Sequence, residues 1–181
     1  MNTRISRQST RHCKLGVVVV ALVALAQQSQ AATATVNMGV SATVAGTCLI
    51  NATSALAFGA YAPAGAHATT ALDATGNLSA NCTTGLNAYI TLGQGASPDI
   101  LSGGGDANPA RRMLGATAVY LNYTLFSNAA RTTIWGNTVG TSYAVVGTGT
   151  ATSILVYGRL AAGQNVAPGS YNDSVIATIN F

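Results

Sequence analysis

The alternation of apolar and polar positions is sharpest in residues 32–48, ATATVNMGVSATVAGTC. Val36, Met38, Val40, Ala42 and Val44 fall on one face of an extended chain there, and Thr35, Asn37, Gly39, Ser41 and Thr43 on the other, which is the period of a half-buried strand. Residues 34–46 extend over about 43 Å at ~3.3 Å per residue, whereas a sandwich strand covers ~17–20 Å. One strand position of a small domain cannot use that length. The pattern predicts two strand lengths in series: a C-terminal part that starts the domain, and an N-terminal part that projects from it with its own apolar row. A projecting strand of this kind seeks a foreign sheet edge, the logic of donor-strand complementation.

Further along, residues 75–82 (TGNLSANC) and 87–92 (NAYITL) read as strands, the second with Ala88, Ile90 and Leu92 on one face. Residues 119–126 (VYLNYTLF) alternate Val119, Leu121, Tyr123 and Leu125 against Tyr120, Asn122, Thr124 and Phe126. After a turn at 127–131 the chain runs on to Trp135. Residues 153–160 (SILVYGRL) form a near-continuous apolar run that predicts burial on both faces. Residues 171–181 (YNDSVIATINF) place Tyr171, Val175, Ala177, Ile179 and Phe181 on one face, with Asp173 as the exception. Stretches rich in Gly, Pro and Asn at 59–68, 93–109 and 161–170 read as loops, and no convincing run has helical period. The expectation is an all-β sandwich.

The last strand ends the chain on an inward-facing aromatic, Phe181. A sandwich that needs one more strand at that edge must take it from another molecule; a self-complete sandwich ending on an edge strand is the alternative. A spare first strand and a missing last one together make a head-to-tail polymer, a contact that does not close on itself.

Charge enters only after the first 31 residues are set aside. Arg4, Arg7, Arg11 and Lys14 precede an apolar run at 15–26, and Ser29-Gln30-Ala31 is a small-x-small cleavage site, with an alternative cut after Ala26. This is the grammar of a secretory leader. The apolar run is short of the ~20 residues a membrane span needs, so the mature product is expected to be soluble beyond the inner membrane, without a membrane span. In the remaining chain Arg111, Arg112, Arg131 and Arg159 balance Asp73, Asp99, Asp106 and Asp173. A neutral chain has no footprint for nucleic acid or anionic lipid. Cys13 leaves with the leader, so Cys48 and Cys82 remain and are expected to pair in an exported protein. Free thiols or a metal site are the competing reading, but no His or further Cys accompanies the two.

Catalytic groups are scarce. His67 is alone in a Pro/Gly loop, where solvation is the simplest role, and no carboxylates form an obvious pair. Gly103-Gly104-Gly105-Asp106 faintly matches a calcium-binding glycine repeat, but it occurs once and without further acidic ligands. Trp135 and the tyrosines could form a carbohydrate platform, though in sandwiches such residues more often fill the core. Neither an enzyme nor a cofactor is expected.

The segments GSYNDSVIATINF, SILVYGRLAAGQNVAPGSY and YLNYTLFSNAARTTIWG, with Cys48 early in the mature chain and Cys82 ending NLSANC, resemble the spore coat protein U domain family. That family includes subunits of archaic chaperone-usher pili. The resemblance covers essentially the whole mature region and implies an incomplete immunoglobulin-like β-sandwich, lacking its last strand and completed by donor-strand exchange. It further implies a periplasmic chaperone that lends a strand, an outer-membrane usher, and neighbouring pilin subunits in a surface pilus serving adhesion and biofilm formation. Carried onto this chain, the donor residues are Val36, Met38 and Val40, with Thr35 and Asn37 facing out. Val175, Ile179 and Phe181 lie on the strand bordering the acceptor groove. The implied division is a leader at 1–31, a donor strand running into the first strand at 32–44, and the sandwich at 45–181. A spore-coat or cell-surface coat protein and a terminal adhesin module are alternatives on the same fold.

Overall fold

The computed structural model describes residues 30–181; the leader expected at 1–31 lies outside them apart from Gln30 and Ala31. Two units divide the chain, Met1–Ala42 and Thr43–Phe181. Residues 30–47 are exposed and form no strand. The first strand therefore does not lie within 34–46 but starts later, at Cys48. Among the described residues no strand pairs with those before Cys48.

The second unit is an antiparallel β-sandwich. Its strands are β1 (Cys48–Ser54), β2 (Leu72–Cys82), β3 (Asn87–Leu92), β4 (Arg111–Leu114), β5 (Tyr120–Phe126), β6 (Tyr143–Val146), β7 (Thr152–Leu160) and β8 (Ala177–Asn180). One sheet has five strands in the order β1-β2-β7-β5-β4, the other three in the order β6-β3-β8. The β2–β7 ladder is the longest, running in register from Leu72↔Leu160 to Ala80↔Thr152. The β1–β2 ladder begins at Cys48↔Cys82, and a disulfide joins that same pair. Covalent closure there adds about 4 kcal/mol on the chain-entropy account and holds an edge strand whose side chains are mostly exposed.

Each strand contributes alternate residues to the core. Leu78 and Ala80, Ile154, Val156 and Leu160, and Leu121, Tyr123 and Leu125 line the inner face of the larger sheet; Ile90, Leu92 and Val145 answer from the smaller one. Trp135 is fully buried between them, its indole donating to the Ile90 carbonyl at 2.8 Å, so it is a core residue and no carbohydrate platform. The apolar run of β7 is buried on one face only, contrary to expectation: Leu155 is 47% exposed and Ser153 faces solvent. The outer face of this sheet is polar, with Arg159 forked onto Asp73 at 2.8 and 2.9 Å and Arg131 lying over Tyr157. The Arg159 fork and the nearby Arg131 charge hold the Asp73 carboxyl below its usual range. Residues 171–181 also depart from one continuous strand. Asn172 bridges to Leu114 on the larger sheet, with Leu114 and Asn172 exchanging N–H···O bonds at 2.9 and 3.1 Å, and only Ala177–Asn180 joins the smaller sheet as β8. The segment changes sheets, and pairing lapses at the crossing.

Arg111 shows how the two sheets are held in register at this end. It is 1% exposed, and its guanidinium donates to the carbonyls of Gly93 (2.8 Å), Leu92 (2.7 Å) and Trp135 (2.9 Å). Those carbonyls sit where β3 stops and would otherwise be buried without a donor. Burial draws the guanidinium down to about 10, against the opposing pull of Tyr123 and Asp173. Arg111→Met is expected to destabilise the domain by about 3 kcal/mol, since it strands buried acceptors, and Arg111→Lys should not rescue it because a point charge cannot serve a fork of carbonyls. Denaturant midpoints of the three proteins check this.

Candidate functional site

A five-stranded sheet presents an inner face about 19 Å across, at ~4.8 Å between strands, and a three-stranded sheet covers only about 10 Å of it. The shortfall is visible as a cleft of about 1020 Å³ whose walls are core side chains, among them Leu78, Leu121, Tyr123, Leu125, Val156 and Leu160. Part of the gap is filled by residues 55–61, which follow β1 without forming a strand. Leu56 and Phe58 seat against glycines of the larger sheet: a Cβ at Gly158 would stand 2.8 Å from the Leu56 methyls and 2.9 Å from the Phe58 ring, and one at Gly76 would stand 2.9 Å from Leu56 Cβ. Glycine inside a strand marks such a close approach. Tyr61 ties the segment down, donating to the Ala161 carbonyl at 2.8 Å and accepting from Gln164 N at 3.0 Å.

On the opposite side the cleft is bordered by residues 166–175 and Ala177. β8 is the edge of the smaller sheet, paired to β3 on one side and to no strand among the described residues on the other. Val175 lines the cleft and Ile179 packs against the core cluster. Phe181 lies past the end of β8, is 61% exposed and does not line the cleft. Val36, Met38 and Val40 are 91%, 83% and 84% exposed. This alternating apolar row is exposed, and the sandwich separately holds an apolar cleft.

Asp173, the polar residue on an otherwise apolar face, has a structural task here. Its carboxylate accepts from the Tyr123 hydroxyl at 2.6 Å and from Ala96 N at 2.8 Å, fixing the crossing segment to β5 and to the loop after β3. Gly95, at φ +90°, passes so near the carboxylate that a side chain would collide with it. His67 is half-buried rather than freely solvated, its ring stacked on Tyr61 with centroids 5.0 Å apart and its Nδ1 accepting from Ala62 N at 2.9 Å. Asp106 accepts from Gln94 and Asn137 side chains. Among the described residues no group of three or more His, Cys, Asp or Glu is placed to hold a metal ion, and no helix is long and apolar enough to cross a membrane.

The family model described as the Spore Coat Protein U domain matches residues 32–178. The chain belongs to the spore coat protein U domain family. A relative, Protein U of Myxococcus xanthus, is 42% identical over 159 residues, 84% of this chain and 88% of that protein. The fold is similar to a chain in the crystal structure of the CsuC-CsuE chaperone-tip adhesion subunit pre-assembly complex from archaic chaperone-usher Csu pili of Acinetobacter baumannii. The TM-score is 0.53 at 19% identity, over 77% of this chain and 40% of that one. At this identity the likeness is one of fold, and the chain spans 40% of the solved chain's length.

In this spore coat protein U domain the segments that carried the resemblance turn out to be struts. Asn128 caps its own turn through Thr132 and Thr133 N–H groups at 3.0 Å, and Arg131, at φ 55°, reaches the Gly158 carbonyl and Asp73. The GSYND stretch supplies Asn172 and Asp173. Burial, with the hydrogen bond to Asp173 added, pushes the Tyr123 phenol above its ordinary value of 10.0. Its protonated form therefore contributes stability that is fully present below pH about 10 and is lost as pH rises further, where the unfolded chain ionises first. Tyrosinate absorbance should show Tyr123 ionising only as the domain unfolds. Tyr123→Phe should abolish that late step and cost about 1–2 kcal/mol at neutral pH.

Proposed function

We propose that this chain is a structural subunit of a surface pilus that polymerises head to tail, residues 32–44 of one copy filling the cleft of the next. The observation that carries this reading is the cleft itself: an apolar hollow walled by core side chains, in a sandwich whose β8 edge is unpaired among the described residues. The extension matches it in chemistry. It is free of charge, extended in pattern and apolar on alternate positions, so Val36, Met38 and Val40 would enter the cleft while backbone groups pair with β8. Burying each contributes roughly 1.5–3 kcal/mol by area bookkeeping.

Before assembly the same cleft needs cover. A periplasmic chaperone that lends a strand, followed by hand-over at an outer-membrane usher, meets that need, and the Acinetobacter structure is of a chaperone-tip adhesion subunit pre-assembly complex. Export through the leader at 1–31 and display at the cell surface follow, with adhesion and biofilm formation as the pilus's service. A disulfide suits that oxidising route. The role is structural rather than enzymatic, in keeping with a family described as a coat domain. A second reading, a spore or cell-surface coat assembled by the same strand exchange, is favoured by the 42% identity to Protein U.

Val40→Asp should reduce polymer yield about a hundredfold, since it places a carboxylate in an apolar cleft. It should leave the domain's own denaturation midpoint unchanged because residue 40 lies outside the sandwich. Sedimentation of polymer from purified subunit, beside a melt of the monomer, reads both; undiminished polymer from this variant would sink the assignment.

A further inference from the structure

The chain's methionines fall on both sides of the contact just described. Besides Met1, at the start of the predicted leader, the sequence has Met38 and Met113. Met38 is the middle residue of the extension's apolar row and is 83% exposed. Met113, on β4, is half-buried and lines the cleft. The other readily oxidised side chains in the described residues are out of play: Cys48 and Cys82 are already joined, and Trp135 is fully buried.

We propose that Met38 is an oxidation site that gates assembly, hydrogen peroxide blocking docking of the extension while it is still free. The proposal rests on the donor-strand reading above. In the step, the Met38 thioether sulfur attacks the terminal oxygen of the peroxide and the O–O bond breaks. One oxygen stays on sulfur as the sulfoxide and the other leaves as water. Sulfur gives up two electrons, and the peroxide is reduced by two. The product is polar and chiral where the thioether was apolar and flexible. The cleft walls it would enter are Leu78, Leu121, Leu125 and Val156, and the neighbouring hydroxyl, on Tyr123, already donates to Asp173. A sulfoxide oxygen placed against those apolar walls gives up its hydrogen bonds to water, which is costly. Docking removes Met38 from water, so the sensitivity belongs to the unassembled subunit and ends once the contact is made. Reduction of the sulfoxide by a thiol-dependent reductase restores the apolar side chain.

The test uses the purified mature chain. Hydrogen peroxide is added and removed, the oxidised residues are mapped by mass spectrometry, and polymerisation is followed by light scattering. Subunit oxidised at Met38 should assemble roughly tenfold more slowly or worse and recover after enzymatic reduction. Met38→Leu, whatever its basal rate, should show the same rate before and after peroxide, while Met113→Leu should stay sensitive. Assembly of Met38-sulfoxide subunit at the untreated rate, or equal loss in Met38→Leu, overturns the inference and leaves the donor-strand reading standing. An untreated wild-type chain that never polymerises overturns the donor-strand reading and this inference with it.

Discussion

The structure turns on a mismatch in sheet width. Five strands present an apolar face that three strands cannot cover, and the deficit of about 9 Å amounts to roughly two strand positions. Residues 55–61 occupy part of it, seated on Gly76 and Gly158, and the cleft is what remains. A strand of the right pattern would fit the part of the gap that remains. The extension carries that pattern in a region that makes no ladder of its own.

The rim of the cleft is held by hydrogen bonds and a disulfide. Arg111 clamps the end of β3 to the larger sheet through carbonyls of Leu92, Gly93 and Trp135. The Tyr123–Asp173 hydrogen bond and the Leu114–Asn172 pair fix the segment that crosses between sheets just before β8. The disulfide anchors β1 at its first residue, next to the point where the extension leaves the domain. Each sits at a boundary of the cleft or of the extension, so rigidity is concentrated where an incoming strand would pull.

Much of this was legible before the coordinates. The strong alternation of 75–82, 87–92 and 119–126 corresponds to β2, β3 and β5 within a few residues, and Cys48 and Cys82 pair as expected. Weak patterns hid the rest. β1 is an exposed edge strand, β6 spans only Tyr143–Val146, and β4 opens on two arginines that read as surface although Arg111 is buried. The apolar run of β7 overstated its burial, since Leu155 and Tyr157 belong to the outer face. The cause of the cleft is the count of strands in each sheet, which no local pattern encodes. The strand glycines Gly76 and Gly158 were the available signal for the seat of Leu56 and Phe58.

The most direct measurement is a gel of cell-surface material, run with and without boiling in detergent and probed for this chain. Strand exchange predicts a ladder of subunit multiples in the unboiled lane that collapses to monomer on boiling, because a strand buried in a sandwich yields only when the sandwich unfolds. Monomer in both lanes, from cells shown to express and export the protein, would contradict it and mark the cleft as the binding site of a self-complete domain.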